Sequence, residues 1–233
     1  MSASIWNRLA AEFEDSVCDI TASSGAQLAR LLDKLRITRR HTLVDAGCGI
    51  GTFVERFGDR FGSVTAFDFA ASMVRRARRR CKQFDHTKWR TLPLEDAARK
   101  LGPIGDLVVC LNVVTSPDEK LRLRQWESLA GLMKSKSYLL VVVPSLESAR
   151  AISHQTVEAF FGTASEQSDL ICRLDTPQKH YSRPELRKIF NSLGMSVLSL
   201  QRIQYPASDD GVECTTAVSP WDWACLAGST KNK

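Results

Sequence analysis

The sequence predicts an α/β fold with a seven-stranded, mostly parallel sheet, helices on both faces and an N-terminal helical cap. Continuous apolar runs, of which Tyr138 to Pro144 is the strongest, alternate with segments of helical periodicity. Such runs are typical of parallel strands buried on both faces. The last two strands, 196–203 and 221–228, have no helix between them, so we expect them to pair as an antiparallel hairpin at the sheet edge.

The order of elements follows from local patterns. Trp6, Leu9 and Phe13 lie at helical spacing and mark a first amphipathic helix, and inward-facing leucines mark a second from about Ser24 to Leu35. The expected strands are 42–45, 63–68, 88–92, 104–114 and 137–144, and the expected helices between them are 52–61, 70–84, 97–101 and 118–133.

The last third of the chain changes character. Residues 145–180 contain no long apolar run and are predicted to be an insertion after the fifth strand. Ser182 and Glu185 form a capping box that opens a final helix ending at Gly194. We therefore expect one domain of 233 residues, divided into an N-terminal cap (1–41), a ligand-binding core (42–144), a substrate-side insertion (145–180), and the last helix with the edge hairpin (181–230).

Composition excludes several classes of protein. No apolar run reaches the roughly 20 residues that a membrane-spanning helix needs, and the N-terminus lacks the apolar stretch of a secretory signal. Seven cysteines without a CxxC pair indicate reduced thiols and a cytoplasmic protein. The four histidines do not cluster with these cysteines, so no metal site is predicted.

The net charge of +6 comes largely from one run of arginines, between Arg75 and Arg80. We interpret this run as the solvated face of a helix whose inner face carries Met73, Ala77 and Cys81 at helical spacing. The alternative is a phosphate-binding patch. The absence of interleaved aromatic residues argues against that alternative, because nothing in the run could stack bases.

The segment Val44 to Gly51 (VDAGCGIG) carries the chemical signal. A strand ends in Asp45, a glycine turn follows, and a helix begins at once; such a turn lets the backbone approach a ligand closely and offers N–H groups to it. The spacing is GxGxG rather than the GxGxxG of a dinucleotide site. A second acid, Asp68, ends the next strand, where a carboxylate accepts hydrogen bonds from a ribose diol. Two acids and a glycine turn favour a nucleoside that carries an amino-acid head.

Four segments, VDAGCGIGTF, VTAFDFAASM, DLVVCLNVV and YLLVVVPS, resemble in order and spacing the class I S-adenosylmethionine-dependent methyltransferases, within the broad group that includes many small-molecule enzymes. The resemblance covers roughly residues 1–230. It implies a Rossmann-like fold, S-adenosyl-L-methionine as cofactor and S-adenosyl-L-homocysteine as product.

The resemblance also implies roles for individual residues. Asp45, Ala46, Gly47 and Gly49 are expected to contact the methionine part of the cofactor, and Asp68 the ribose. Phe69 and Met73 are expected beside the adenine, and Asp96, with Glu95 as second choice, at its amino group. Asn112 is expected beside the sulfonium and the substrate. Phe13 resembles an N-terminal aromatic that closes over the cofactor in such enzymes.

The expected reaction is in-line methyl transfer to an O, N or C nucleophile of a small-molecule substrate. A general base is required only for a protonated nucleophile, and His154, His180 and Tyr181 are the candidates. No Asn/Asp-Pro-Pro-aromatic motif for base amino groups and no Pro-Cys pair for cytosine is present. Two alternatives remain: an RNA or protein methyltransferase that docks through the arginine helix, and a non-catalytic cofactor-binding module.

Overall fold

The computed structural model describes residues 6–7, 20–153, 169–173, 176–204 and 219–229 of the chain. Its centre is a seven-stranded sheet in the order β3-β2-β1-β4-β5-β9-β8. The first five strands in this order pair in parallel, and the β5–β9 and β9–β8 pairs are antiparallel. The strands are β1 (Thr42–Ala46), β2 (Ser63–Asp68), β3 (Thr87–Thr91), β4 (Gly105–Leu111), β5 (Met133–Pro144), β8 (Met195–Gln204) and β9 (Trp221–Ser229).

Helices cover both faces of this sheet. They are α1 (Ile20–Leu32), α2 (Thr52–Phe57), α3 (Ala71–Arg80), α4 (Leu94–Leu101), α5 (Glu119–Leu132), α6 (Leu146–Ser153) and α7 (Arg183–Ser192). Residues of β4 alternate between the two faces: Leu107 and Val109 pack with α1 and α2, whereas Val108 and Cys110 pack with α4, α5 and α7. This alternation follows from the period of two along a strand, and the α/β prediction with its antiparallel C-terminal pair is confirmed.

Several predicted boundaries were wrong. The second helix ends at Leu32 rather than Leu35. It runs from Ile20 and has a kink at Ser24 (φ −121°, ψ 19°), the residue at which its start was predicted. Strand β4 ends at Leu111 rather than at 114, because Asn112 takes a positive φ of 55° that no strand continues. Within the C-terminal pair, β9 lies inside the sheet between β5 and β8, so β8 alone forms that edge.

The region 145–180 contains regular structure in its described parts. It begins with α6 and continues, after residues 154–168, in the two-stranded hairpin β6 (Leu170–Arg173) and β7 (Thr176–Lys179). Lys179, with its side chain 3% exposed, forms ion pairs with Asp169 and with Glu185 of α7. Because a buried ammonium group needs such partners, these pairs hold the hairpin against the start of α7.

The predicted N-cap of α7 is confirmed, because the Glu185 N–H donates to the Ser182 hydroxyl at 3.3 Å. The Glu185 carboxylate, which a capping box would use, forms the ion pair with Lys179. Cys48, Cys81, Cys110 and Cys225 are buried free thiols, as the sequence predicts for cysteines in strands, turns and helix faces. Within the described part of the chain, no helix is long and apolar enough to cross a membrane.

The core on the α5 side of the sheet contains one buried polar aromatic side chain. Tyr181 is 1% exposed, its hydroxyl donates to the Val114 carbonyl at 2.8 Å, and the Trp126 ring meets it edge-on at 5.9 Å. Burial is the main cause of the raised pKa of this phenol. The hydroxyl is therefore a neutral donor that ties the chain after β4 to the chain before α7.

We predict that Tyr181→Phe lowers the free energy of unfolding by about 1–2 kcal/mol, because the Val114 carbonyl loses its buried donor. Urea denaturation followed by circular dichroism measures the change. Tyr138→Phe on β5 is the matched control, since Tyr138 is partly buried and no hydrogen bond of its hydroxyl is found among the described residues. Equal stability of the two variants would contradict a structural role for the Tyr181 hydroxyl.

Candidate functional site

A cavity of about 340 Å³ lies at the carboxyl ends of the parallel strands, where α/β sheets bind their ligands. Its volume is within the range of about 300–1,000 Å³ that is typical of small-molecule sites. One part of the wall comes from the ends of β1 and β2 and from the loop after β3. The opposite part comes from residues 111–116, from α5 and from the β6–β7 hairpin.

The glycine turn after β1 forms one wall of this cavity. Gly47, Gly49 and Gly51 all have positive φ values, of 78°, 50° and 88°. A Cβ added to Gly47 would stand 2.2 Å from Cγ2 of Val113, so glycine is required here for Val113 to pack against the turn. Ala46, by contrast, is fully buried and is not among the residues that line the cavity.

The N–H groups of this turn are used inside the protein, which corrects the expectation that they face a ligand. Gly47 and Cys48 donate to the Phe67 carbonyl at 2.8 and 2.9 Å, and Gly51 donates to the Cys48 carbonyl. Gly49 donates to the Asp68 carboxylate at 3.1 Å. The turn therefore contributes space and shape to the cavity, and its donors fix the turn to β2.

Asp68 joins the two strands at the cavity. Its Oδ2 accepts from Gly49 and its Oδ1 accepts from the Ala70 N–H at 2.8 Å. Burial raises the pKa of this carboxyl to about 6, although the N–H donors of Ala70, Gly49 and Phe69 partly oppose the shift. A carboxylate that lines the cavity and titrates near pH 6 is suited to accept hydroxyl hydrogen bonds at neutral pH.

Asp45 is the second buried acid at this end of the cavity. It is 2% exposed and lies at the penultimate position of β1. Burial, and then the charges of Asp45 and Asp68, raise the pKa of the Cys48 thiol far above its ordinary value. Cys48 is therefore a neutral, inert thiol in the wall, as the sequence predicts, and the two carboxylates make this end of the cavity negative.

The third acid of the wall is Glu95, the second choice of the sequence prediction. Glu95 lines the cavity at the start of α4. Asp96 does not line it and forms an ion pair with Arg99 at 3.1 Å. Consecutive residues of α4 point about 100° apart, and the rotation of this helix turns Leu94 and Glu95, but not Asp96, toward the cavity. The geometry therefore favours Glu95 for the expected contact with the adenine.

The expected adenine side of the cavity is lined by Phe69 and Met73, as the resemblance implies, and also by Trp6. Trp6 packs against the cluster of Ile50, Ala70 and Met73. The neighbouring Asn7 accepts from the Ser72 N–H at 3.0 Å, which fixes this segment to α3. Phe13, the aromatic that was predicted to close over the cofactor, lies outside the described residues. The N-terminal aromatic that the structure places here is Trp6, and its helical spacing in the sequence was the signal for it.

Another part of the cavity wall contains amides and hydroxyls. Its side chains are those of Asn112, Thr115, Ser116, Gln125 and Gln178. Gln125 was not predicted, because a single glutamine in an amphipathic helix carries no signal of its own. Asn112 lines the cavity as expected, and its unusual φ identifies it as a residue under local constraint.

The described base candidates are not in the cavity wall. His180 is 4% exposed, its Nδ1 lies 3.1 Å from the Gln178 carbonyl, and it does not line the cavity. Tyr181 is likewise absent from the wall and uses its hydroxyl in the core. His154 lies outside the described residues. Among the residues that the structure describes, no cluster of His, Cys, Asp and Glu could hold a metal ion.

The cavity fits a nucleoside that carries an amino-acid head. Gly47 and Gly49 give the wall a stretch without side chains, Asp68 offers a carboxylate for a ribose diol, and Phe69 and Met73 offer an apolar surface for a base. The negative end formed by Asp45 and Asp68 suits a cationic ligand group. The residues present are therefore compatible with S-adenosylmethionine.

Comparison with known proteins agrees with this geometry. Residues 44–137 match a family model described as a methyltransferase domain. No curated protein matches the sequence significantly. The N-methyltransferase NodS from Bradyrhizobium japonicum WM9, solved with S-adenosyl-L-homocysteine, superposes with a TM-score of 0.69 at 13% identity, and the alignment covers 98% of both chains.

Two further solved structures share the fold. Magnesium protoporphyrin IX methyltransferase (ChlM) from Synechocystis PCC 6803, with S-adenosylmethionine bound, has a TM-score of 0.60 at 15% identity, over 89% of this chain and 78% of that one. A methyltransferase of Haloferax volcanii, in complex with the Trm112 activator, has a TM-score of 0.70 at 16% identity, over 97% and 98% of the two chains. At these identities the likeness concerns the fold. The family match covers the glycine turn and the strands that follow it, so residues 44–137 are similar to a methyltransferase domain, and the chain has the fold of S-adenosylmethionine-dependent methyltransferases.

Proposed function

We propose that this protein is an S-adenosylmethionine-dependent methyltransferase that acts on a small molecule, by in-line transfer of the methyl group to an O, N or C nucleophile. The observation that carries the proposal is the lack of cations in the described part of the cavity wall: none of the described lining residues is Lys, Arg or His. A polyanion such as RNA is held mainly by such cations, whereas a neutral or cationic small molecule needs none.

The protein contributes to the reaction by binding the two reactants, orienting them and excluding water from them. S-adenosylmethionine, when bound, supplies a methyl group on a positively charged sulfur. Asp68 would hold the ribose, and Glu95 is proposed for the adenine amino group in place of Asp96. The apolar part of the wall, which includes Trp6, Phe53 and Leu111, excludes water. Alignment of two reactants in such a site supplies several kcal/mol of barrier reduction.

A second candidate function rests on the basic surface of α3 and β3. Arg75, Arg78 and Arg79 are exposed on α3, and Lys88 and Arg90 are exposed on β3, which packs against α3. Of the α3 arginines, Arg80 forms an ion pair with Glu55 at 2.9 Å. A nucleic-acid substrate could dock on this surface, but none of these basic residues lines the cavity. We therefore favour the small-molecule function.

We predict that the purified protein binds S-adenosylmethionine and S-adenosylhomocysteine and does not bind NADH. The reason is that the GxGxG turn and Asp68 fit a nucleoside with an amino-acid head. Isothermal titration calorimetry with the three ligands measures this. Binding of NADH, with no binding of the other two, would contradict the assignment of the cavity.

We predict that Asp68→Ala weakens S-adenosylhomocysteine binding by about 1.5–3 kcal/mol, the range for hydrogen bonds to a charged group. Since diol hydrogen bonds favour the ionised carboxyl, ligand binding should lower its pKa from about 6 and release a proton below that pH. Affinity of the native protein should then fall from pH 7 to pH 5, by at most about tenfold per unit. Asp68→Asn, which cannot titrate, should lose this pH dependence; an unchanged pH profile in that variant would contradict the role of Asp68.

We predict that Arg75, Arg78 and Arg79, changed together to Gln, leave cofactor affinity and unfolding free energy nearly unchanged, because surface substitutions usually shift stability by less than about 0.5 kcal/mol. Retention on immobilised RNA at two salt concentrations separates the two candidate functions. Strong, salt-sensitive retention of the native protein that is lost in the triple variant would favour the nucleic-acid function.

A further inference from the structure

Two side chains in the cavity wall each have a buried carbonyl oxygen without a hydrogen-bond partner among the described residues. They are Oδ1 of Asn112 and Oε1 of Gln125. Leaving a buried acceptor unpaired costs about 1–3 kcal/mol, so an unpaired acceptor in a cavity wall points to a ligand that completes it. Asn112 directly follows β4, and Gln125 is on α5.

The orientation of the Asn112 amide is determined by a neighbour in the sheet. Its Nδ2 donates to Oδ2 of Asp222 at 3.0 Å, and Asp222, on β9, is 2% exposed. A carboxylate accepts hydrogen bonds and cannot donate one when ionised, so the reverse orientation of the amide would bring two oxygens together. The Oδ1 of Asn112 is therefore left as an acceptor.

The backbone of Asn112 is fixed as well. Its N–H donates to the Val142 carbonyl of β5 at 2.8 Å, and its φ of 55° is a conformation that asparagine adopts more readily than most residues. The side chain is thus held at the end of β4 by contacts to β5 and β9. Such fixation is expected of a side chain that must hold its amide oxygen at one position.

Gln125 occupies a helix position that packing alone would give to an apolar residue. It is 8% exposed on α5, next to Trp126, one turn from Leu129 and two turns from Leu132, all of them buried. Glutamine is rarely buried, and a methionine of similar length would fill the same space without an unpaired oxygen. Its presence in the cavity wall indicates a requirement for a hydrogen-bond acceptor there.

We propose that the Asn112 and Gln125 oxygens bind the proton-carrying group of the methyl acceptor, so that the substrate is a small molecule with a nucleophilic N–H or O–H. This inference rests on the proposed function and narrows it: carbon nucleophiles and fully substituted amines cannot satisfy the two oxygens.

In the transfer step, a bond forms between the nucleophilic nitrogen or oxygen and the methyl carbon. The carbon–sulfur bond breaks at the same time, and its electron pair remains on sulfur. The substrate proton goes to water. The amide oxygens are too weakly basic to take it, so their role is to orient the N–H or O–H bond and thereby direct a lone pair of the same atom.

The test uses the full chain saturated with S-adenosylhomocysteine and two probes of nearly the same size and shape: aniline, which donates hydrogen bonds, and toluene, which does not. Their affinities are compared by titration followed by NMR. We expect aniline to bind about tenfold more tightly in the native protein, the effect of one hydrogen bond to a buried acceptor. Gln125→Met should abolish that preference, and Asn112→Gly, which retains the positive φ, should reduce it.

Thr87→Val is the matched control. Thr87 also has a buried oxygen without a partner among the described residues, but it does not line the cavity, so its loss should leave the preference for aniline unchanged. Calorimetry with S-adenosylhomocysteine on each sample shows whether the variant is folded. Failure of the native protein to bind S-adenosylhomocysteine would overturn the proposed function. Normal binding of that ligand with equal affinity for the two probes, or with no detectable binding of aniline, or with an aniline preference that Gln125→Met does not change, would overturn only this inference.

Discussion

The geometry of the cofactor end of the cavity depends on the carboxylate of Asp68. It accepts one N–H from the glycine turn after β1, at Gly49, and one from the residue that precedes α3, Ala70. The turn after β1 and the chain before α3 are thereby both fixed to the end of β2. The cost of burying this carboxylate is visible in its raised pKa, and the N–H donors offset part of that cost. A ribose diol would supply the remaining hydrogen bonds.

The glycine turn has a different role from the one that its sequence suggests. Turns of this kind can offer N–H groups to an anionic ligand, but here the donors of Gly47, Cys48 and Gly49 are taken by the end of β2. What the glycines contribute is the absence of Cβ atoms, most clearly at Gly47, where Val113 leaves no room for one. The cavity is therefore shaped by sterics and by carboxylates, which agrees with a cationic cofactor.

The two ends of the cavity differ in chemistry because they are built from different parts of the fold. The acidic end comes from β1, β2 and the start of α4, close together in a parallel sheet. The end with amides and hydroxyls comes from the loop after β4, from α5 and from the hairpin that Lys179 ties to α7. Strand β9 reaches this end through Asp222, which orients Asn112. The C-terminal antiparallel pair thus contributes to the substrate end as well as to the sheet.

The sequence by itself determined the fold class, the position of the glycine turn and the two acids Asp45 and Asp68. These features depend on local patterns: apolar periodicity, glycine spacing and strand ends. It could not decide between Glu95 and Asp96, since that choice depends on how α4 is rotated against the sheet. It could not find Trp6, Gln125 or Asp222 as parts of the site, or remove His180 and Tyr181 from it. These residues are distant in sequence from the glycine turn, and only the packing of helices and of β9 against the sheet decides which of them meet at the cavity.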